Sequence, residues 1–145
     1  MKSFLFATLL WLVSPLSLAE VESELIAGDY RIHYSLFNSS FISPEVASAY
    51  GLTRGKRKAI LNVSVRKIQP DGADREHPAI VNGTVKDLIH SQDLTFIEVR
   101  EQGAIYYLAE LPFNDKETLY FDLQVSPDRS RAPYSISFQR KLYVE

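Results

Sequence analysis

The chain has 145 residues, a formal net charge of −2 and no cysteine. That length makes one domain and leaves no room for two. The missing cysteine excludes a disulfide scaffold, a thiolate zinc site, a thiol enzyme and a cysteine-anchored lipoprotein. The acidic balance argues against a nucleic-acid binder, which is normally basic.

Residues 1–19 differ from the rest. Lys2 gives a positive start, residues 4–13 are apolar apart from Thr8, Pro15 breaks the run, and Ser17 and Ala19 place small side chains before Glu20. This is the pattern of a cleavable secretory signal peptide. The apolar run is too short to span a bilayer, which takes about twenty residues. The sequence thus predicts a periplasmic protein of residues 20–145, with no transmembrane segment after cleavage. Met1 and Trp11 fall in the leader, and they are the chain's one methionine and one tryptophan. The mature chain therefore contains no sulfur.

Residues 20–27 carry three glutamates and little periodicity, and are expected to form a flexible mature N-terminus. From residue 28 to 145 the dominant signal is alternation of apolar and polar residues, the mark of half-buried strands. Strands are expected over residues 30–37, 59–68, 79–85, 94–101, 104–110, 119–125 and 134–143. Gln69-Pro70-Asp71-Gly72 reads as a turn, and Gln102-Gly103 as a tight hairpin in which glycine supplies a positive φ. Over residues 43–50 a short helix is expected. Ser43 would cap it, Pro44 suits the first helical position, Glu45 faces the positive end of the dipole, and Gly51 would close it. Short alternating strands separated by turns indicate an all-β fold. The expectation is an immunoglobulin-like antiparallel β-sandwich of about seven strands, with one short helix in the first long connection.

That connection, residues 38–58, is the most informative segment. Strand connections have a median length of about four to six residues, and long ones are often functional. It concentrates hydroxyl and amide side chains together with Tyr50 and Arg54. The candidate binding residues are His33, Asn38, Ser39, Ser40, Tyr50 and Arg54. The alternative is a structural crossover whose Ser and Asn side chains cap backbone groups. Arg54, Lys56, Arg57 and Lys58 form a basic cluster. It suits either anionic lipid or polysaccharide, or a solvated approach to an edge strand. Tyr106, Tyr107, Tyr120, Tyr134 and Tyr143 are expected outward or at a boundary.

His33, His77 and His90 lack metal-ligand spacing, so no metal and no cofactor is expected. There is no Gly-x-Ser-x-Gly elbow, phosphate loop or dinucleotide fingerprint, and no catalytic residue is assigned. The leading reading is a non-enzymatic binding or interaction module of the periplasm, monomeric, meeting an unidentified protein or envelope ligand. The alternatives are a hydrolase joining a serine, a histidine and a carboxylate, or an assembly factor acting by strand addition.

His33-Tyr34, Phe37-Asn38-Ser39-Ser40-Phe41, Ser43-Pro44-Glu45-Val46-Ala47, Tyr50-Gly51-Leu52-Thr53-Arg54 and Leu61-Asn62-Val63-Ser64-Val65 together resemble a family of small exported proteins of Gram-negative bacteria, known only as a domain of unknown function. Ala104-Ile105-Tyr106-Tyr107-Leu108-Ala109 and Phe138-Gln139-Arg140-Lys141-Leu142-Tyr143 are also similar. The resemblance spans almost the whole mature chain. It implies a single periplasmic domain and carries over no catalytic residue.

Overall fold

The computed structural model describes residues 22–145, so the signal peptide expected over residues 1–19 lies outside the described residues. Ten strands form two antiparallel sheets. In chain order they are β1 (Glu22–Ala27), β2 (Tyr30–Asn38), β3 (Lys58–Ile68), β4 (Asp74–Glu76), β5 (Ile80–Lys86), β6 (Ser91–Leu94), β7 (Ile97–Glu101), β8 (Ala104–Pro112), β9 (Glu117–Ser126) and β10 (Tyr134–Leu142). The first sheet runs β1-β2-β3-β8-β7, with β4 also paired to β3; the second runs β10-β9-β5-β6. The expected all-β sandwich is therefore present, with more strands than about seven.

Three differences account for the extra strands. Within the N-terminal segment expected to be flexible, residues 22–27 are β1, which pairs with β2 from Glu22↔Ser35 to Ala27↔Tyr30. Leu25 packs against the core while Glu24 and Ile26 face solvent, so an alternation hidden by the glutamates is what holds it. The single strand expected over residues 94–101 is two. β6 pairs with β5 in one sheet, and β7 pairs with β8 in the other. The chain changes sheets at Thr95-Phe96, and Phe96 packs against the core as it does so. Last, β4 is a three-residue charged strand opposite residues 66–68 of β3.

The core lies between the sheets. Leu61, Val63 and Val65 of β3 meet Leu119, Phe121, Leu123 and Val125 of β9, and all seven are buried. Phe121 stacks on Phe138 of β10 with centroids 4.7 Å apart, and Phe138 in turn meets Tyr34 of β2 at 4.9 Å. Tyr107 is not an outward tyrosine: it is buried, and its hydroxyl accepts a 2.8 Å hydrogen bond from the Ala79 amide. Burial pushes its pKa above the ordinary tyrosine range.

Six features gather at one end of the sandwich. They are the close of β2, the start of β3, the β8–β9 loop, the start of β9, the close of β10 and the β5–β6 hairpin. The basic residues 54–58 lead into this end. β3, which they precede, is a central strand between β2 and β8 and not an edge.

Candidate functional site

The long connection leaves β2 through a 3₁₀ turn, Ser39–Phe41, and a helix α1, Pro44–Tyr50. The local chemistry is as the sequence anticipates. The Ser43 hydroxyl accepts from the Val46 amide, Pro44 opens the helix, and Gly51 closes it at φ 69°. The remaining ties are long-range. Asn38 accepts from the Ser40 amide at 3.0 Å and donates to the Lys56 carbonyl at 3.3 Å. Ser39 is fully buried, and its hydroxyl bonds both the carbonyl and the amide of Gly55. The Arg54 guanidinium donates to the Ser40 carbonyl at 3.1 Å. Two ends of the connection are thus sewn together by its own side chains.

Its middle lies on the outer face of the first sheet. Ile42, Tyr50 and Leu52 pack with Phe37 on a second apolar cluster, built on Ile60, Val99 and Leu108. Two carboxylates pin this lid from the sheet. Glu101 accepts from the Tyr50 hydroxyl, and Glu110 accepts from the Thr53 amide. The bond to Glu101, with some burial, pushes the Tyr50 hydroxyl above its ordinary range. What the lid turns outward is Ser40, Phe41, Val46 and Arg54, all exposed.

The six candidate residues therefore divide. Asn38 and Ser39 are buried and spent on the connection itself. Tyr50 is half-buried and holds the lid to β7. Ser40 and Arg54 stand next to each other at the surface. His33 is apart from them, on the same outer face but in the middle of β2, with Nδ1 3.6 Å from a Glu24 carboxylate oxygen.

His33 borders a feature that the sequence did not disclose. Across β1, β2, β3 and β4 the outer face carries an alternating row of charges. Glu24 binds Arg31, and Arg31 binds Asp74 at 2.8 Å. Arg66 lies 4.0 Å from Asp74 and binds Glu76 at 2.8 Å. The other Glu76 oxygen accepts from the Ile105 amide. Burial would lower the Arg31 pKa, but Asp74 and Glu24 outweigh it and the net shift is upward. The row explains how three charged residues can form β4: their side chains tie the strand to the sheet, with Asp74 and Glu76 half-buried.

The other histidines serve local structure. His77 Nε2 lies 2.9 Å from the Pro127 carbonyl. His90 Nδ1 lies 3.5 Å from Asp87 at the mouth of a cleft of about 250 Å³. The walls of that cleft include Val85, Phe113, Asn114, Glu117 and Leu119, and no serine is among its lining residues. Among the described residues no group of three or more His, Asp or Glu is placed to hold a metal ion. No helix among them is long and apolar enough to cross a membrane.

The profile of a Domain of unknown function, DUF4426, matches residues 25–145. The chain belongs to the DUF4426 family. A crystal structure of a DUF4426 family protein from Pseudomonas aeruginosa is 36% identical, with a TM-score of 0.75 over 86% of this chain and 96% of that one. FetP of uropathogenic Escherichia coli strain F11, expressed in the periplasm, superimposes with a TM-score of 0.62 at 13% identity, over 83% of this chain and 93% of that one. A copper-bound variant of FetP gives a TM-score of 0.63 at 13% identity, covering 86% and 91%. Likeness at that identity establishes the fold alone. No curated protein matches the chain.

Proposed function

We propose that this DUF4426 protein is an exported binding module of the periplasm, without enzymatic activity, and that its contact surface is the outward side of the lid over residues 40–54. The observation that carries this reading is the lid's construction. Its internal polar groups are consumed by Asn38, Ser39, Glu101 and Glu110. Ser40, Phe41, Val46 and Arg54 remain exposed on a fixed frame. A loop ordered in advance loses less conformational freedom on binding than a mobile one. Export rests on the leader pattern of residues 1–19. The copper seen with FetP is not carried over, because the fold is all that is shared at 13% identity.

The test is affinity capture from periplasmic extract with mature protein, beside a Phe41→Ser, Arg54→Ala variant. Both positions are exposed; the variant gives up the Arg54–Ser40 bond, so its thermal midpoint is measured beside the parent's to show that the lid stays folded. A partner retained by the parent and lost by the variant supports the surface. Equal retention by both removes it.

One observation favours a second reading, strand addition to a partner. β10 is an edge strand of nine residues with no proline inside it. Edges of this kind template pairing with another chain. A Ser137→Pro variant that folds and loses a partner which the Phe41→Ser, Arg54→Ala variant keeps would select this reading over the first.

A further inference from the structure

The two sheets differ in width. The first runs β1-β2-β3-β8-β7 from edge to edge, and the second runs only β10-β9-β5-β6. Two aromatic contacts fix how they lie on one another. Tyr30 and Tyr34 of β2 meet Tyr134 and Phe138 of β10, with ring centroids 6.3 and 4.9 Å apart. β10 therefore lies under β2, and β1 overhangs the edge of the second sheet. The far side is closed by the chain itself, which passes from β6 to β7 at Thr95-Phe96. On the near side, among the described residues, no strand of the second sheet lies opposite Ser23, Leu25 and Ala27, the inward residues of β1, and all three are only half-buried. Tyr34, Phe138 and Leu142 beside them are half-buried too. The place of one strand is open here, bounded by the edge of β10 and the inner face of β1.

One side chain reaches into that place. Tyr134, Ile136, Phe138, Arg140 and Leu142 share the inward face of β10, and Arg140 is the charged one. Its guanidinium donates to the Ser23 hydroxyl of β1 at 3.1 Å and to the Gln139 carbonyl at 3.0 Å, and its Cζ lies 5.3 Å from the Phe138 ring centroid. It makes no ion pair with a described residue. The nearby carboxylates are engaged elsewhere: Glu24 with Arg31, Asp122 with Ser137, and Glu117 with the Asn114 amide. An inward charge on an edge strand guards that edge, because a strand added beside it buries the charge. A strand that brings a carboxylate to the guard escapes the penalty, and one that does not is rejected. β10 itself holds Arg140 and Lys141 and no acid. Pairing with the β10 of a second copy therefore brings cations and no carboxylate, so the complement of this edge lies on a different chain.

We infer that the open place takes an extended peptide strand of a partner, hydrogen-bonded to β10, with apolar side chains against Leu25, Tyr34 and Phe138 and an Asp or Glu paired with Arg140. The inference rests on the strand-addition reading and adds to it the residue that selects the partner.

The test is an NMR titration of the isotope-labelled mature protein with two short peptides. Both alternate valine and threonine; one carries a single glutamate in the valine series, and the other carries glutamine at that position. Shifts should be confined to amides of β10 and β1, and the glutamate peptide should bind tighter by about tenfold or more. The preference should vanish in Arg140→Gln, whose fold is checked by circular dichroism, and persist in Arg140→Lys, which keeps the charge. The comparison of the two peptides on the parent chain decides without any variant. Equal binding of both at β10, or a preference that survives in Arg140→Gln, would overturn the inference and leave strand addition standing. Absence of shifts along β10 with either peptide would overturn both.

Discussion

Ser39 and Gly55 are joined twice: the buried hydroxyl donates to the Gly55 carbonyl and accepts from the Gly55 amide, each at 2.9 Å. One side chain thereby closes a connection of sixteen residues, from a fully buried position beside the half-buried Gly55. In Ser39→Ala the Gly55 amide loses its partner, while the Gly55 carbonyl keeps only the Lys58 amide at 3.3 Å. The expected cost is about 2 kcal/mol. The lid should loosen before the sandwich does, so hydrogen exchange at Gly55 and along α1 should accelerate while β3 and β9 keep their protection.

Gly83 is a packing requirement of β5. A Cβ placed there would lie 2.6 Å from Leu123 Cδ2 and 3.0 Å from the Asp122 carbonyl. Leu123 is fully buried and cannot swing out. Gly83→Ala should destabilise by about 1–3 kcal/mol through overpacking, read as a lower midpoint in urea with an unchanged slope. An unchanged midpoint would mean that Leu123 and the β9 backbone beside it, in the same sheet as Gly83, give way more easily than these contacts indicate.

The β7–β8 hairpin turns on Gln102 and Gly103, at φ 51° and 81°. Positive φ at both central residues favours Asn-Gly, and glutamine is strained there. Gln102→Asn should stabilise by up to about 1 kcal/mol, seen as a small rise in the thermal midpoint. The turn adjoins Glu101, which accepts from the Tyr50 hydroxyl, and the substitution leaves that bond in place, so capture of a partner should not change.

Much of this fold could be read from period and turn chemistry. The helix cap at Ser43, the Pro44 start, the Gly51 stop and the Gln102-Gly103 hairpin are local signals, each complete within a few residues. The inward faces of β3 and β9 follow from strict alternation. The sheet change at Thr95-Phe96 could not be read, because no glycine or proline marks it and both halves are rich in strand formers. β4 was hidden for the opposite reason: Asp74, Arg75 and Glu76 have no strand signature, and are held by Arg31 and Arg66 from another part of the chain. The candidate site divides in the same way. Ser40 and Arg54 are found by their residue type. The ties that fix the lid span 51 residues from Tyr50 to Glu101 and 57 from Thr53 to Glu110, and no local pattern announces them.

Asp87 gives the fold a definite acid dependence. Amides of His90 and Ile89 hold its carboxylate below the usual carboxylate range. A carboxylate depressed on folding stabilises the hairpin at every pH above its unfolded value, near 3.9. That contribution is lost as pH falls through the lower folded value. An NMR titration should place the Asp87 midpoint below that of a free aspartate, with the Ile89 and His90 amides moving in step. A midpoint at the ordinary value would remove these bonds from the account.

The central claim is that the lid is a prepared contact surface and not only a cover for Ile60, Val99 and Leu108. Site-specific photocrosslinking in living cells tests it most directly, with the probe at Phe41 or Val46 on the lid and at Asp71 in the β3–β4 turn as control. The account predicts a discrete adduct from the two lid positions that disappears when Arg54→Ala is added, and none from position 71. Adducts of equal yield from all three positions, or none from the lid, would contradict it.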